Sequence, residues 1–160
     1  VQTGHGVPGL QTITDCAKSD RSAIIIADGG IKNSGDMVKA IAAGADFVMI
    51  GSLLAGTNEA PGVVVTNNLG EDYKIYRGMA SIDAQKDWRG NLTSAPEGVA
   101  TTVPRKGPVK DIIYNLAMGI RSGLSYSGAR SIPEFQARAK FVRQTNASQV
   151  ESTAHILRAK

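Results

Sequence analysis

The feature of this sequence that most constrains its fold is a pair of short apolar runs, each of which ends in a glycine turn. The first run, SAIIIA (residues 22–27), is followed by DGG, and the second, DFVMI (residues 46–50), is followed by GS. Such runs are typical of strands buried on both faces of a parallel sheet. The segment between them has one apolar face at helical spacing, formed by Met37, Val38, Ile41, Ala42 and Ala45. With Ser34 as its N-cap, this helix completes a predicted βαβ unit of the α/β class.

Both glycine turns follow the carboxyl end of a predicted strand, which is where parallel α/β folds bind their ligands. Gly29 and Gly30 lack side chains, so the backbone can approach a ligand closely, and Gly51 with Ser52 repeats this arrangement. Exposed N–H groups in such turns can donate to phosphate oxygens. The Asp28 carboxylate can accept both hydroxyl protons of a ribose. The alternative is two tight βα turns with Asp28 capping the backbone, but two consecutive turns favour a phosphate site.

A β-hairpin is predicted after this unit, from strands at residues 63–66 and 73–77 joined by a turn at residues 67–70. Residues 78–107 are rich in Gly, Ser, Thr, Asn and Pro and have no sustained period. A long excursion of this kind inside a compact domain is often a functional lid. We therefore expect a mobile flap there.

Helical patterns lie on either side of these segments. One helix is predicted at residues 10–17 and a longer one from residue 109 to residue 124. Ser131 and Glu134 have the spacing of a capping box at the start of a further helix. Residues 144–160 are polar and are expected to form a flexible tail.

Composition narrows the classes of function. The 160 residues carry a net charge of +4, and the Lys and Arg residues do not form the basic stripe that nucleic-acid binding requires. No apolar run approaches the ~20 residues of a membrane span, and no signal-peptide pattern is present. The single cysteine, Cys16, excludes an intrachain disulfide and favours a reducing, cytoplasmic setting. Because Val1 is not a natural start, we expect the chain to begin inside a longer protein.

Several long motifs resemble the IMP dehydrogenase/GMP reductase family and follow one another in the family's order. They are ADGGIKNSGDMVKAIAAGADFVMIGSLLAGTNEAPG (residues 27–62), YKIYRGMAS (73–81), PEG (96–98), VPRKGPV (103–109), GIRSGLSYSGA (119–129) and FVRQT (141–145). The resemblance implies that the chain is the C-terminal part of a (β/α)8 TIM barrel with an inserted β-hairpin and a mobile flap (82–105). It divides the chain into barrel units (1–59), hairpin and flap (60–107), the final barrel helix with a short helix (108–143) and a polar tail (144–160).

The same resemblance implies two ligands, a purine mononucleotide (GMP or IMP) and a nicotinamide dinucleotide (NADPH or NAD). Asp28 would hold the ribose hydroxyls. Gly30, Gly51 and Ser52 would bind the phosphate through backbone and hydroxyl groups, and Tyr76 would reach the same phosphate.

Further residues are assigned to the purine by resemblance. Gly78, Met79 and Ser81 would line the base, partly through main-chain atoms. Glu97, on the flap, would contact the base near its reacting edge and is the candidate catalytic residue, with Gly98 beside it.

The nucleophile that the resemblance implies is a cysteine that attacks purine C2, with hydride passing between C2 and the nicotinamide. In the family it lies just before a TGxGxP segment, which here is TGHGVP (residues 3–8), so the chain starts too late to contain it. Cys16 is instead expected to be a buried structural cysteine. Alone, without the N-terminal half of the barrel, the chain is expected to be inactive and poorly folded, with open sheet edges. The family is usually homotetrameric.

The flap favours GMP reductase within this family. The dehydrogenase flap places an Arg and a Tyr around VP to activate water, and the matching positions here are Thr102 and Arg105. An arginine at this place would be a poor general base at neutral pH. The flap is also short, with KDWRG (residues 86–90) in its middle. In the reductase, Glu97 would help to protonate the departing amine.

Other motifs favour IMP dehydrogenase. YRGM (residues 76–79) and the tail VESTAH (150–155) resemble that enzyme. Its tail supplies main-chain ligands to a potassium ion shared between subunits, which here would be Glu151 and Ser152, although Thr153 replaces the expected His. A non-catalytic nucleotide sensor and a different phosphate-binding barrel stay open as further alternatives.

Overall fold

The computed structural model describes residues 4–19, 22–79, 81–90 and 100–153. Six helices are present in this part of the chain: α1 (Gly9–Ala17), α2 (Ser34–Ala42), α3 (Ile82–Arg89), α4 (Val109–Tyr126), α5 (Ile132–Arg138) and α6 (Asn146–Glu151). Five strands accompany them: β1 (Ile26–Asp28), β2 (Phe47–Met49), β3 (Val64–Thr66), β4 (Asp72–Arg77) and β5 (Ala100–Pro104). The α/β class is confirmed, and the described strands form two open sheets and no closed barrel.

The predicted βαβ unit is present, with β1 and β2 parallel and paired from Ile26↔Phe47 to Asp28↔Met49. Each strand has three residues and is shorter than the apolar run that predicted it. The paired ladder starts at Ile26, and the N–H of the preceding Ile25 donates to the Asp46 carboxylate at 2.7 Å. The Ile25 carbonyl still accepts from the Asp46 and Phe47 N–H groups, at 2.9 and 3.2 Å.

Asn33, and not the predicted Ser34, is the N-cap of α2. The Asn33 side chain accepts from the Asp36 N–H at 3.0 Å, and the Asp36 carboxylate accepts from the Lys32 N–H at the same distance. Ser34 is therefore the first helical residue. Asn and Ser are comparable N-caps, so the sequence pattern alone placed the start of the helix one residue late.

Small residues allow the layers to pack closely. Ala27, Ala40 and Ala45 form one buried cluster between β1 and α2. On the other side of α2, α4 crosses so closely that its Gly119 and Gly123 approach Ser34 and Val38. Helix α2 is thus held between the parallel sheet and α4, which fixes the position of the first glycine turn. A second buried cluster completes this core: Ile41, Ala129 and Phe135.

The predicted hairpin is confirmed, because β3 and β4 pair antiparallel from Val64↔Lys74 to Thr66↔Asp72. The segment after it contains two regular elements that the sequence pattern did not predict. Helix α3 starts at the Ser81 cap and ends at Gly90, which has a left-handed φ of +71°. Strand β5 then returns antiparallel to β4. The sequence showed no apolar period here because α3 is mostly polar and β5 is mostly exposed, so cap chemistry and backbone pairing define them.

The polar tail is not uniformly irregular either. Residues 146–151 form the short helix α6, whose N-cap Thr145 accepts from the Ser148 N–H at 3.2 Å. A Thr cap satisfies a backbone donor without any apolar face, so the polarity of the segment concealed the helix. None of the described helices has the length and apolar character that a membrane crossing requires.

Candidate functional site

The two glycine turns are neighbours in space. Asp28 and Met49 are paired at the carboxyl ends of β1 and β2, so the chain leaves both strands at the same edge of the sheet. Gly29 and Gly30 have positive φ values of +90° and +74°, a conformation that side chains with a Cβ rarely adopt. The turn chemistry predicted from DGG is therefore required by the backbone, and the predicted phosphate-binding residues lie on one rim.

The first glycine turn opens into a cavity of about 640 Å³. Asp28, Gly29 and Gly30 are exposed and line it together with residues of α1 and α2. Lys39 and Asp36 from α2 line it too, and the Lys39 ammonium lies 2.9 Å from the Asp36 carboxylate. The Asp28 carboxylate and the bare backbone of the turn suit a ligand that carries hydroxyl groups.

Cys16 also lines this cavity, and its side chain is exposed. The prediction of a buried cysteine was wrong for the described structure. Helix α1 has no buried residue, because it contacts the core mainly through the half-buried Ile13. Helical spacing correctly gave the face of α1 but not how little of that face is covered.

The second glycine turn begins a tight spiral. The Leu54 N–H donates to the Gly51 carbonyl at 2.9 Å, and the Ala55 N–H donates to the Ser52 carbonyl at 3.3 Å. The amides of Ser52 and Leu53 stand at the open start of this spiral, where N–H groups are available to an anion. Across from them, the Tyr76 hydroxyl lies 3.8 Å from the position that a Cβ on Gly51 would occupy. The structure therefore brings Tyr76 to the second glycine turn.

Gly51, Tyr76 and Met79 line a cavity of about 870 Å³ whose other wall is α3, with Asp83 and Trp88. Met79 is 70% exposed. The cavity lies next to the second glycine turn, and its charged lining includes Arg77, which is paired with Asp87.

Ser81 is buried, and its hydroxyl group caps α3. Its side chain is 1% exposed, and its Oγ accepts from the Ala84 N–H as the cap of α3. The Ser81 N–H donates to the Gly78 carbonyl at 2.9 Å. Any contact from this stretch to a base would come from the main chain around Gly78. The candidate catalytic Glu97 and its neighbour Gly98 lie outside the described residues.

Glu151 and Ser152 lie at the carboxyl end of α6 and are exposed. The Ser152 hydroxyl donates to the Gln149 carbonyl at 2.9 Å. Helix carboxyl ends present carbonyl oxygens, the ligand type that potassium would need, so the donor chemistry is compatible with the predicted site. Across the described ranges no cluster of three His, Cys, Asp or Glu side chains could hold a metal ion.

Two lysines that the sequence did not single out hold the segment that follows the second glycine turn. The Lys74 ammonium is buried and donates to the carbonyls of Thr57 and Ala60 at 2.8 and 2.6 Å. The Lys106 ammonium donates to the carbonyls of Leu53 and Ser52 at 3.0 and 3.4 Å. Both lysines lie inside motifs that carry the family resemblance, YKIYRG and VPRKGPV. This position was the only feature of the sequence that pointed to them.

Arg105 is part of an ion pair on the outer side of the hairpin. Its guanidinium lies 3.1 Å from the Asp72 carboxylate, and its N–H donates to the Asp72 carbonyl. The Thr66 hydroxyl, followed by the Arg105 guanidinium, lowers the pKa of Asp72 by hydrogen bonding to its carboxylate. The Arg105 guanidinium therefore has a structural partner on the hairpin.

The turn of the hairpin carries a second small network. The Glu71 carboxylate accepts from the Asn67 side chain and from the Tyr73 hydroxyl, and both bonds lower its pKa. The same carboxylate raises the pKa of Tyr73, because the hydroxyl donates to it and stands beside its charge. These groups stabilise the turn and lie away from the glycine turns.

Comparison with known proteins gives a consistent family. The sequence matches the family described as IMP dehydrogenase / GMP reductase domain over residues 1–155. An inosine-5'-monophosphate dehydrogenase of Nitrosopumilus maritimus is 47% identical, over 97% of this chain and 35% of that protein. A GMP reductase of Leishmania major is 46% identical, over 95% of this chain and 33% of that protein.

A solved structure has about the same sequence identity to this chain as these two relatives. The crystal structure of a GMP reductase variant from Trypanosoma brucei in complex with guanosine 5'-monophosphate is 48% identical and matches with a TM-score of 0.87. It covers 97% of this chain, which covers 33% of that protein. The chain thus spans about a third of the length of the relatives that it matches.

Proposed function

Because this chain belongs to the IMP dehydrogenase/GMP reductase family, we propose that it is the C-terminal part of a (β/α)8 barrel oxidoreductase that acts at purine C2. Relatives named as oxidoreductases of both kinds match it almost equally well. The reaction that we favour is that of GMP reductase, in which GMP, NADPH and a proton give IMP, NADP⁺ and ammonia. The attacking cysteine would lie in the part of the protein outside this chain.

The observation that carries the proposal is the meeting of the two glycine turns at one sheet edge. Asp28 pairs with Met49, so the Asp28 carboxylate and the Gly51–Ser52 amides start from neighbouring strand ends. A ribose 5'-phosphate has its hydroxyl groups and its phosphate at opposite ends. A carboxylate beside one turn and open amides at the other match those two ends, and Tyr76 adds a hydroxyl at the phosphate end.

Strand β5 (Ala100–Pro104), which we call the flap-return strand, favours the reductase branch. Thr102 pairs with Ile75 in the sheet, and Arg105 pairs with the Asp72 carboxylate, so neither residue is a free base that could activate water. A reductase needs no hydrolytic base, because ammonia is released and no water is added to C2. Glu97 would then protonate the departing amine.

IMP dehydrogenase is the second candidate, in which IMP, NAD⁺ and water would give XMP, NADH and a proton. The motif YRGM and the tail residues Glu151 and Ser152 support it, since that enzyme would use the tail for a potassium site between subunits. A potassium site shared between subunits implies an oligomer, and the family resemblance makes that oligomer a homotetramer. A protein that binds the nucleotide without turning it over would be a nucleotide sensor.

Activity of the full-length protein separates these candidates. We expect oxidation of NADPH that depends on GMP, and little reduction of NAD that depends on IMP, with the two rates measured at 340 nm under matched conditions. The reverse pattern would assign the dehydrogenase. Nucleotide binding without either activity would assign a sensor.

Substitution of Asp28 tests the ribose contact. Asp28→Ala should weaken nucleotide binding by about 3 kcal/mol or more, because charged hydrogen bonds contribute about 1.5–3 kcal/mol each and two would be lost. Titration calorimetry of the full-length protein measures this. Asp111→Ala, at an exposed position on the first turn of α4, is the control, and its nucleotide affinity and turnover should equal those of the wild type. Unchanged affinity of the Asp28 variant would reject the assignment.

A further inference from the structure

The chain segment that follows β5 runs alongside the segment that follows the second glycine turn. The Lys106 N–H donates to the Gly56 carbonyl at 2.6 Å, and the Asn58 N–H donates to the Gly107 carbonyl at 3.3 Å. Beyond them, the Glu59 carboxylate accepts from the Val109 N–H at 2.8 Å, at the start of α4. The two segments are therefore joined at successive points.

Gly56 is needed for this close approach. A Cβ at residue 56 would overlap the carbonyl oxygen of Pro104, and the φ of Gly56 is +81°. The end of the flap-return strand is thus packed directly on the backbone that continues from the second glycine turn. A movement of one segment must be accommodated by the other.

The Lys106 side chain reaches further along the same segment, to the beginning of the spiral. Its ammonium group lies 3.0 Å from the Leu53 carbonyl and 3.4 Å from the Ser52 carbonyl. A trans peptide is planar, with its N–H pointing opposite to its C=O. The Ser52 carbonyl points to Lys106, so the Leu53 N–H of the same peptide points away from Lys106. Among the described residues that amide has no protein acceptor.

Strand β5 also reaches the other side of the phosphate position. It pairs with β4, and its Thr101 is the partner of Tyr76. One strand therefore supports the tyrosine whose hydroxyl faces Gly51 and leads directly into the lysine that holds Ser52 and Leu53. The flap-return strand is attached to both sides of the site where we propose that the phosphate binds.

Lys74 provides a comparison. It is buried, at 6% exposure, and it contacts carbonyls later in the segment, at Thr57, Asn58 and Ala60. Its role is to hold residues 57–60 against the hairpin. Lys106 is only half-buried and contacts the first peptides of the spiral, so its charge also lies near the amides that would face an anion.

On these grounds we propose that Lys106 is a positioning residue for phosphate recognition. It orients the peptide between Ser52 and Leu53, whose N–H would face the phosphate. It thereby makes nucleotide binding depend on the position of the flap-return strand. This inference rests on the proposed function, because it assumes that the second glycine turn binds the phosphate of a purine mononucleotide.

The test compares a nucleotide with its nucleoside in the full-length protein. Affinities for GMP and guanosine, or for IMP and inosine, are measured by titration calorimetry in the wild type, Lys106→Met, Lys106→Arg and the control Lys110→Met. Lys110 is exposed on the first turn of α4. Loss of a charged hydrogen bond should lower nucleotide affinity by at least about tenfold in Lys106→Met. Nucleoside affinity should stay within about twofold, because the nucleoside has no phosphate.

The arginine variant keeps a cation and its N–H donors, so its nucleotide affinity should stay within about threefold of the wild type. It also provides the comparison if Lys106→Met does not fold. Equal losses of nucleotide and nucleoside affinity would show a general structural role and overturn the proposal, as would unchanged nucleotide affinity. A wild type that binds neither GMP nor IMP would instead overturn the proposed function.

Discussion

Gly119 of α4 lies against Ser34 of α2 so closely that a methyl group at residue 119 would overlap the Cβ and Oγ of the serine. This contact sets the distance between the two helices, and α2 in turn packs on the strand that ends at Asp28. The position of the first glycine turn therefore depends on a glycine far from it in sequence.

Gly119→Ala should lower the free energy of unfolding by about 2 kcal/mol, the usual cost of overpacking a closely packed contact. The double variant with Ser34→Gly should recover part of this loss, because the overlapping atoms are then absent. Gly107→Ala is a suitable control, since nothing lies within 4 Å of the added methyl group. With the single Ser34→Gly variant included, urea unfolding of the full-length protein measures all four variants, and an additive double variant would contradict the contact.

Lys74→Met should lower the free energy of unfolding, although it places an apolar side chain at a buried position. The carbonyls of Thr57, Asn58 and Ala60 would lose a common donor, and a buried polar group left without a partner costs about 1–3 kcal/mol. We expect a loss of about 3 kcal/mol in the free energy of unfolding. The exposed Lys86→Met should change it by less than about 0.5 kcal/mol. Equal stabilities of the two variants would argue against the carbonyl contacts.

Acid should weaken the start of α2. The Asp36 carboxylate accepts a hydrogen bond from Lys39 first of all, and from the Lys32 N–H, and these bonds lower its pKa although burial opposes them. A lowered folded-state pKa stabilises the protein above the unfolded-state pKa, about 4, and this stabilisation is lost as the pH falls through the folded-state pKa. Unfolding measured across that range should be less pH-dependent in Asp36→Asn. An identical pH dependence would exclude a contribution from Asp36.

Sequence reasoning worked best where a local pattern and the tertiary environment require the same thing. The DGG turn is one such case, because Gly29 and Gly30 both have positive φ, and the hairpin at Asn67–Gly70 is another. The parallel strands were found from apolar runs, although the paired ladder is shorter than the runs suggested.

The features that were missed have no apolar period or depend on contacts between distant segments. Helix α3 is defined by the local Ser81 cap and not by an apolar face, and Cys16 is exposed because so little covers α1. The roles of Lys74 and Lys106 arise from backbone carbonyls 14 to 54 positions away in sequence. A periodic pattern carries no information about such partners, and a charged residue within it is ordinarily assigned to the surface.

The pairing of Arg77 with Ala100 has a consequence for how such a site diversifies. The chain leaves the hairpin sheet and rejoins it at the same rung, so the intervening insert has adjacent, fixed ends. Lengthening an insert with fixed ends adds little closure entropy, about 0.6 kcal/mol for each doubling. The length and sequence of this insert can therefore change during evolution while the two glycine turns keep their geometry.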